Sequence, residues 1–320
     1  MAAGLRSLPV VIARGANRPE RRFAVAISRR RPPVSYRAAF LFPLLLATPA
    51  FAQDDATPAP APLIDPAKLE GDSLRIGAAV GFTPSYDGSD DLVLTAVPGI
   101  QGRVSGINFA LRGNRLWADV IPTSGGPGWD VQLGPIVSLN FNRKYRGTVT
   151  DPQVRRLPLR NIAVEVGGFV GIGKQGVITS DYDKLSVSVA YTYDINGVHS
   201  SQSITPAIDY GTPLSTKAYV GFNLQANYEG QGFADAYFTV TPADSIASGL
   251  PAYRARKGWK DWTLSAFGLH ALTGDLTGGL SLMVAGSYRR MLNDFAETPI
   301  VSIAGSRNQW TGMAGLAYAF

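Results

Sequence analysis

The most suggestive catalytic motif in the chain is Gly71–Leu74, which reads Gly-Asp-Ser-Leu and presents Ser73 as a candidate nucleophile for ester hydrolysis. In serine esterases with this motif, a histidine takes the serine proton, and an aspartate stands three residues before that histidine. Neither histidine in the chain, His199 or His270, has an aspartate at that position. The motif also opens a segment of alternating apolar and polar residues. We therefore predict that Ser73 begins a β-strand and that the protein is not an enzyme.

A second motif, GFVGIGKQ, has the spacing of a phosphate-binding loop through Gly168, Gly173 and Lys174. Such a loop requires Ser or Thr after the lysine to hold magnesium, and a helix whose amino end binds the phosphate. Gln175 takes the place of the Ser or Thr, and turn-forming residues follow it. We predict that the segment is a strand with glycines at thin positions of a sheet, and that the protein binds no nucleotide.

Three carboxylates cluster in the segment YDGSDD, Tyr86–Asp91. Calcium loops place a glycine and a distal glutamate at fixed positions, and this segment has neither at the required place. An ordinary solvated hairpin loop is the favoured interpretation. The chain also contains no cysteine, which excludes disulfides, thiolate nucleophiles and cysteine-ligated zinc. We predict no metal site and no cofactor.

The net charge of +6 is confined to one end of the chain. Residues 1–52 hold 9 of the 30 basic residues and 1 of the 24 acidic ones, which leaves 21 basic and 23 acidic residues in the remainder. A basic leader does not make a nucleic-acid-binding surface, so we predict no nucleic-acid partner.

Residues 1–52 have the order of a secretory signal peptide: positive charges, the apolar run Ala38–Ala47, and the small-x-small sequence Ala50–Ala52 before Gln53. A membrane anchor is the alternative, but Ala38–Ala52 contains two prolines and is shorter than the roughly 20 residues that a spanning helix needs. We expect an exported protein with a cleaved leader. Residues 53–71 are rich in proline and alanine and are expected to form a flexible periplasmic lead-in.

Residues 72–320 contain repeated segments with a period of two, the pattern of strands with one apolar face. Lys184–Asp194, Lys217–Tyr228 and Trp129–Phe141 are clear examples. A soluble sandwich would also alternate. However, these strands run to about 10–13 residues, which suits a tilted bilayer crossing, and aromatic residues stand near their ends as in interfacial girdles.

The connections between the segments alternate between short and long. Ser105–Gly106 is short, whereas Arg143–Leu159 is long and polar. Short periplasmic turns with long external loops produce this rhythm. We predict an all-β fold, a transmembrane antiparallel up-and-down barrel of about twelve strands. A barrel of ten strands is the alternative, if the two short segments on either side of Gly113 form one kinked excursion of the chain instead of two strands. The loop Arg143–Leu159 is expected to tolerate deletion.

Because alternate residues of a strand point to opposite faces, odd or even position along each strand (its parity) predicts which charged residues face the lumen. The selected set is Arg75, Arg103, Asp130, Glu165, Lys217 and Arg289. Both signs are present, and burial of such residues is tolerable only if they are paired or hydrated. A salt-bridged interior is the favoured interpretation, and a charged diffusion channel is the alternative.

The segment NQWTGMAGLAYAF places Trp310, Tyr318 and Phe320 on one face. We predict that Tyr318 and Phe320 are the signal that the barrel assembly machinery recognises, and that this strand pairs with Leu74–Thr83 to close the sheet. The outward face is expected to contact outer-membrane lipid and lipopolysaccharide.

Several stretches together resemble the MipA/OmpV family of outer-membrane proteins. They are YDGSDD, Tyr237–Tyr253, Gly258–Ala266 and Thr298–Trp310, and the resemblance covers residues 72–320. It implies a multi-pass barrel in the outer membrane of a Gram-negative bacterium. It also implies a scaffold that binds a murein lytic transglycosylase and links it to a penicillin-binding protein in peptidoglycan synthesis. Other members are described as porin-like. The resemblance implies no catalytic residues.

Overall fold

The computed structural model describes residues 71–122 and 128–320. The expected signal peptide and most of the lead-in lie outside these residues. The described part is a closed antiparallel barrel in which each strand pairs with its neighbours in sequence and the last pairs with the first. Its strands are β1 Ser73–Pro84, β2 Leu92–Val104, β3 Ile107–Arg112, β4 Arg115–Asp119, β5 Trp129–Asn140, β6 Ala163–Gln175, β7 Lys184–Asp194, β8 Gln202–Pro213, β9 Ala218–Glu229, β10 Gly258–Ala271, β11 Gly279–Met291 and β12 Asn308–Ala319.

The prediction of twelve strands is confirmed. The alternative of ten fails because β3 and β4 are separate short strands that pair with each other on either side of a two-residue turn at Gly113 and Asn114. Gly113 adopts φ +65° there, a conformation that glycine reaches without a side-chain clash.

The two faces of the sheet differ as the alternation requires. Along β1, Val80 is 57% exposed on the outer face, whereas its neighbour Ala79 is 3% exposed on the inner face. Large apolar residues such as Leu94 and Val170 occupy the outer face. Successive strand residues point to opposite sides, so the register of the pairs fixes which residues line the lumen.

The seam between β1 and β12 is a close contact of small residues. Its register runs from Arg75 opposite Ala319 to Phe82 opposite Gly312. A Cβ atom on Gly81 would lie 2.2 Å from the carbonyl oxygen of Gly312. The closing pair therefore depends on a glycine at Gly81, and closure removes both open edges of the sheet.

The two ends of the barrel are unlike each other. At the short-turn end, strands are joined by residues 105–106, 176–183, 214–217 and 272–278, and the connection from β4 to β5 contains residues outside the described ranges. At the other end, besides the two-residue turn 113–114, lie the connections 85–91, 141–162, 195–201, 230–257 and 292–307, and these five together we name the cap.

The cap has helices and a hydrophobic core of its own. It contains α1 Gln231–Tyr237, α2 Pro242–Ser248, α3 Asn293–Glu297, α4 Pro299–Ser302 and a 3₁₀ helix, Val154–Arg156. Helix α2 begins with a capping box between Thr241 and Asp244. The buried apolar residues form two clusters, and Phe233, Phe238 and Phe295 are at most 2% exposed in one of them. No helix among the described residues is long and apolar enough to cross a membrane.

The structure changes two expectations about loops. The long loop after β5, which was expected to tolerate deletion, contributes Val149, Val154 and Leu157 to the second cap cluster, where they are 1–2% exposed. We therefore expect its deletion to open the cap. The YDGSDD loop is not a solvated hairpin, because Tyr86 is 4% exposed in that same cluster and donates a hydrogen bond to the carbonyl oxygen of Ala304. These buried side chains could not be recognised in the sequence, because they are few, stand among polar residues and do not recur with the period of a strand or a helix.

Candidate functional site in the lumen and the cap

The register places five of the six selected charges on the inner face. Arg75 shares that face with Ala79, and Arg103 lies opposite Ser73 on it. Asp130, Glu165 and Arg289 follow through the successive pairings of β5, β6 and β11. Lys217 lies in the exposed turn before β9, so it is not part of the wall. These residues do not form one site but belong to different levels of the lumen.

The densest group of charges lies where the cap meets the lumen. Lys260 Nζ is 3.3 Å from Asp87 Oδ2, 3.5 Å from Glu229 Oε1 and 3.5 Å from Asp261 Oδ2. Arg289 Nη1 is 3.0 Å from Asp87 Oδ1, and its Nε is 4.0 Å from Asp261 Oδ1. We name these five residues the mouth network. It joins the β1–β2 loop to strands β9, β10 and β11.

A β-bulge positions Lys260 for this role. The register of β9 and β10 shifts between Trp259 and Asp261, and Lys260 is the extra residue. Bulges redirect a side chain in this way. The Lys260 side chain is 8% exposed, and its ammonium lies 4.8 Å from the centroid of the Phe233 ring, which belongs to the cap. The cation is therefore held by three carboxylates and one aromatic face.

Polar side chains orient the carboxylates of the mouth network. Asn227 Nδ2 donates to Asp261 Oδ1 at 2.7 Å, and the hydroxyl of Ser203 donates to Glu229. Arg289 Nε donates to Thr263 Oγ1 at 3.3 Å. Burial of charge costs free energy unless such partners are present. Burial acts to raise the pKa of Asp87, but the charges of Lys260 and Arg289 outweigh it and hold the pKa below its ordinary value.

A second buried pair connects the wall to the cap. His199 Nε2 is 3.3 Å from Glu165 Oε1, and the imidazole packs on the rings of Phe233 and Tyr237 with centroid distances of 5.3 and 6.0 Å.

A buried arginine connects two loops of the cap. Arg143 Nη2 donates to the carbonyl oxygen of Ala236 at 2.8 Å. Burial lowers the pKa of Arg143 to about 10, and the charge of Arg160 adds to this effect.

Farther down, the lumen is narrowed but exposed to solvent. Arg112 Nη1 on β3 is 3.9 Å from Asp209 Oδ1 on β8, and these side chains are 61% and 37% exposed. Four strands, β4 to β7, separate β3 from β8 around the closed sheet, so this pair reaches across the lumen. Arg112 also lies 5.3 Å from the centroid of the Trp117 ring. An exposed pair of this kind contributes little stability but limits the free cross-section.

Positive charges predominate on the inner face of strands β1 to β4. The inward-facing charged residues of strands β1 to β4 are Arg75, Arg103, Arg112, Arg115 and Asp119. Arg75 Nη2 donates to the carbonyl oxygen of Leu276 at 2.5 Å, which ties β1 to the β10–β11 turn. Asp130 on β5 instead pairs with Lys184 on β7. The lower lumen is thus basic on one side.

The two misleading motifs occupy ordinary strand positions. Ser73 begins β1 at the short-turn end, whereas His199 lies in the cap and His270 faces outward from β10. Residues 168–175 lie inside β6, and Lys174 faces outward with its ammonium 5.4 Å from the centroid of Trp129. Within residues 71–122 and 128–320, no three His, Asp or Glu side chains are grouped as metal ligands.

Sequence reasoning missed most of the mouth network. The sequence predicts a solvated loop at Asp87 and gives no indication that Lys260, Asp261 and Glu229 meet it. The alternation could have revealed Asp261, because Trp262 faces outward and its neighbour must face inward. No comparable signal exists for Lys260, because a bulge interrupts the period.

At the short-turn end, Asp183 organises the turn 176–183. Its carboxylate accepts hydrogen bonds from the backbone N–H groups of Val177, Ile178 and Thr179 at 2.6, 2.8 and 2.6 Å. Burial acts to raise the pKa of Asp183, but these hydrogen bonds outweigh it and lower the pKa well below its ordinary value. The fixed turn leaves Ile178 67% exposed, and Leu214 in the next turn at this end is 64% exposed.

Comparison with known proteins identifies one family and several barrels. The family described as MltA-interacting protein MipA matches residues 76–320. No curated protein matches the chain in sequence. A solved outer-membrane channel from Pseudomonas putida F1 is 11% identical, with a TM-score of 0.36 and coverage of 78% of this chain and 96% of the channel. The toluene transporter TodX of Pseudomonas putida is 8% identical, with a TM-score of 0.33 and coverage of 80% and 92%.

Proposed function

The chain belongs to the MipA family, and on this basis we propose that it is an outer-membrane barrel that serves as a docking scaffold for a murein lytic transglycosylase. The observation that carries the proposal is the closed long-loop end. There the cap has its own hydrophobic core and is joined to the wall by the mouth network. A cap anchored in this way would obstruct the passage of solutes and leave a rigid wall for docking.

The family description supports the choice of partner, because MltA-interacting protein is the name of the family whose profile matches this chain. The two exposed apolar turns support the choice of surface. Ile178 and Leu214 stand at the short-turn end, which in an outer-membrane barrel faces the periplasm and the peptidoglycan. Exposed apolar residues on a rigid turn are suitable anchors for a partner protein. A penicillin-binding protein would join through the transglycosylase.

A diffusion channel is the second candidate function. The basic sector of the lower lumen favours it, because Arg75, Arg103, Arg112 and Arg115 would attract anionic solutes. This candidate requires the cap to move, since the cap covers one mouth.

Capture of a purified murein lytic transglycosylase tests the scaffold. We expect the immobilised full-length barrel to retain the enzyme. The double substitution Ile178→Ser and Leu214→Ser should weaken retention about tenfold or more, because each buried anchor contributes over 1 kcal/mol. Ile246→Ser is the matched control, since Ile246 is 88% exposed in the cap at the opposite end. No retention by the wild type, or equal loss in the control, contradicts the proposal.

A further inference from the structure

A row of aromatic side chains runs across the outer face beside the cap. Trp262, Tyr288 and Trp310 lie on the adjacent strands β10, β11 and β12, with ring centroids 5.4 and 4.7 Å apart. Trp259 and Tyr228 continue the row onto β9 at 5.6 Å. Aromatic residues at this height are typical of the interface between lipid headgroups and acyl chains.

Arg290 lies within this row and faces outward. The register places it opposite Trp262 on β10 and Asn308 on β12. Its Nη1 donates to Asn308 Oδ1 at 3.3 Å. Among residues 71–122 and 128–320, no carboxylate lies within 4.0 Å of its guanidinium nitrogens. A cation on the lipid-facing side is unfavourable unless it reaches the interface and meets an anion.

Two further cations lie in the cap just before β10 and β12, the strands on either side of β11. Lys257 precedes β10 by one residue, and Arg307 precedes β12 by one residue; both are exposed. The nearby Arg256 differs, because its Nε is 2.8 Å from Asp294 Oδ2. We name Lys257, Arg290 and Arg307, together with the aromatic row, the rim patch. It combines positive charge with an apolar outer wall.

We propose that the rim patch binds the phosphate groups of lipid A, the anchor of lipopolysaccharide in the outer leaflet. A guanidinium binds phosphate oxygens through two parallel hydrogen bonds. The acyl chains of the same molecule would then lie on the apolar residues of β10 to β12, and the aromatic rings would lie between phosphate and acyl chains. The inference rests on the outer-membrane placement proposed above, with the cap outside, and not on the enzyme partner.

The opposite end of the barrel offers a matched comparison. Lys174 faces outward beside Trp129 at the short-turn end, and Lys217 is exposed in a turn there. These cations would face the inner leaflet. If any anionic lipid sufficed, both ends would respond equally to the same ligand. Selectivity for the rim patch therefore separates recognition of lipid A from general attraction between charges.

Titration of the full-length barrel in phosphatidylcholine nanodiscs with bis-phosphorylated, hexa-acylated lipid A tests the proposal. Arg290→Gln with Lys257→Gln should weaken binding roughly 10- to 30-fold, because each cation near an anionic lipid surface contributes about a factor of five. Lys174→Gln with Lys217→Gln should leave binding unchanged. Wild-type protein should bind dephosphorylated lipid A as weakly as the double variant binds the phosphorylated form.

Equal affinity of the rim variant and wild type overturns the proposal. Equal affinity of wild type for phosphorylated and dephosphorylated lipid A also overturns it, and this arm needs no variant to fold. Binding of phosphatidylglycerol as tight as that of lipid A would show general attraction and contradict it too. Lipid A binding without transglycosylase capture would contradict only the scaffold.

Discussion

Substitution of Lys260 by alanine is expected to lower the free energy of unfolding by about 3–5 kcal/mol, the cost of removing one partner from a buried ion network. Lys260 contacts Asp87, Glu229 and Asp261, and its side chain is 8% exposed. Without it, Arg289 is the one remaining cation of the mouth network for three carboxylates. The measurement is urea unfolding of the barrel in lipid vesicles, followed by tryptophan fluorescence.

Lys257→Ala is the matched control for Lys260→Ala, because Lys257 lies three residues earlier and is exposed. Its effect should stay within about 0.5 kcal/mol. A double-mutant cycle sharpens the test. Asp87→Asn combined with Lys260→Ala should cost less than the sum of the single changes, because the two residues contact each other. Strict additivity, or a Lys260 effect no larger than that of Lys257, would show that the mouth network does not hold the cap.

Substitution of Phe238 by alanine is expected to loosen the cap while the barrel stays intact. Phe238 is fully buried, and its ring meets that of Phe295 edge-on at a centroid distance of 5.0 Å. Its backbone carbonyl oxygen accepts a hydrogen bond from Thr298 Oγ1 at 2.6 Å. Truncation of a buried phenylalanine costs about 3–5 kcal/mol through lost contacts and the cavity left behind. Because Phe238 belongs to the cap, the lost stability should make local opening of the cap easier, while the strands stay paired.

Limited proteolysis of the barrel in vesicles measures this opening. Cleavage within residues 230–257 should accelerate at least about tenfold in Phe238→Ala, since local opening becomes more favourable by more than 1.4 kcal/mol. Ile246→Ala removes an apolar residue of the same loop that is 88% exposed and should leave the rate unchanged. Equal cleavage of all three proteins would mean that the cap has no cooperative core.

The wall of the barrel could be predicted from the sequence because the period of two is imposed by strand geometry. One apolar residue in two, as in Lys184–Asp194, fixes both the strand and its outward face. The register orients Arg75 and Glu165 toward the lumen. Lys217 instead lies in the turn one residue before β9, where the alternation no longer applies.

The cap could not be predicted because nothing periodic marks it. Val149, Leu157 and Leu250 are single apolar residues in polar loops, and they become a core only after the barrel brings the loops together. The mouth network depends on the same event. Asp87 gains its partners from β10 and β11, which lie some two hundred residues farther along the chain, and Lys260 needs a bulge. Long-range packing of this kind leaves no local pattern.

Buried ion pairs at the cap end of the lumen explain why the cap should stay attached to the wall. The mouth network pairs Asp87 with bases from two strands, so opening the cap would expose buried carboxylates and cations that lose their partners together. The exposed Arg112–Asp209 pair lower in the lumen carries no comparable cost. We therefore expect the two ends of the lumen to differ, with the short-turn end accessible to solvent and the cap end closed.

Planar-bilayer recording of the purified, correctly inserted barrel tests the closed lumen most directly. An open porin in the same bilayers supplies the positive control, and heat-modifiable migration establishes that the inserted protein is folded. We predict insertion without stable conductance steps at low voltage, because the cap covers one mouth of the lumen. Stable open steps from the wild-type barrel would contradict the scaffold and favour the diffusion channel.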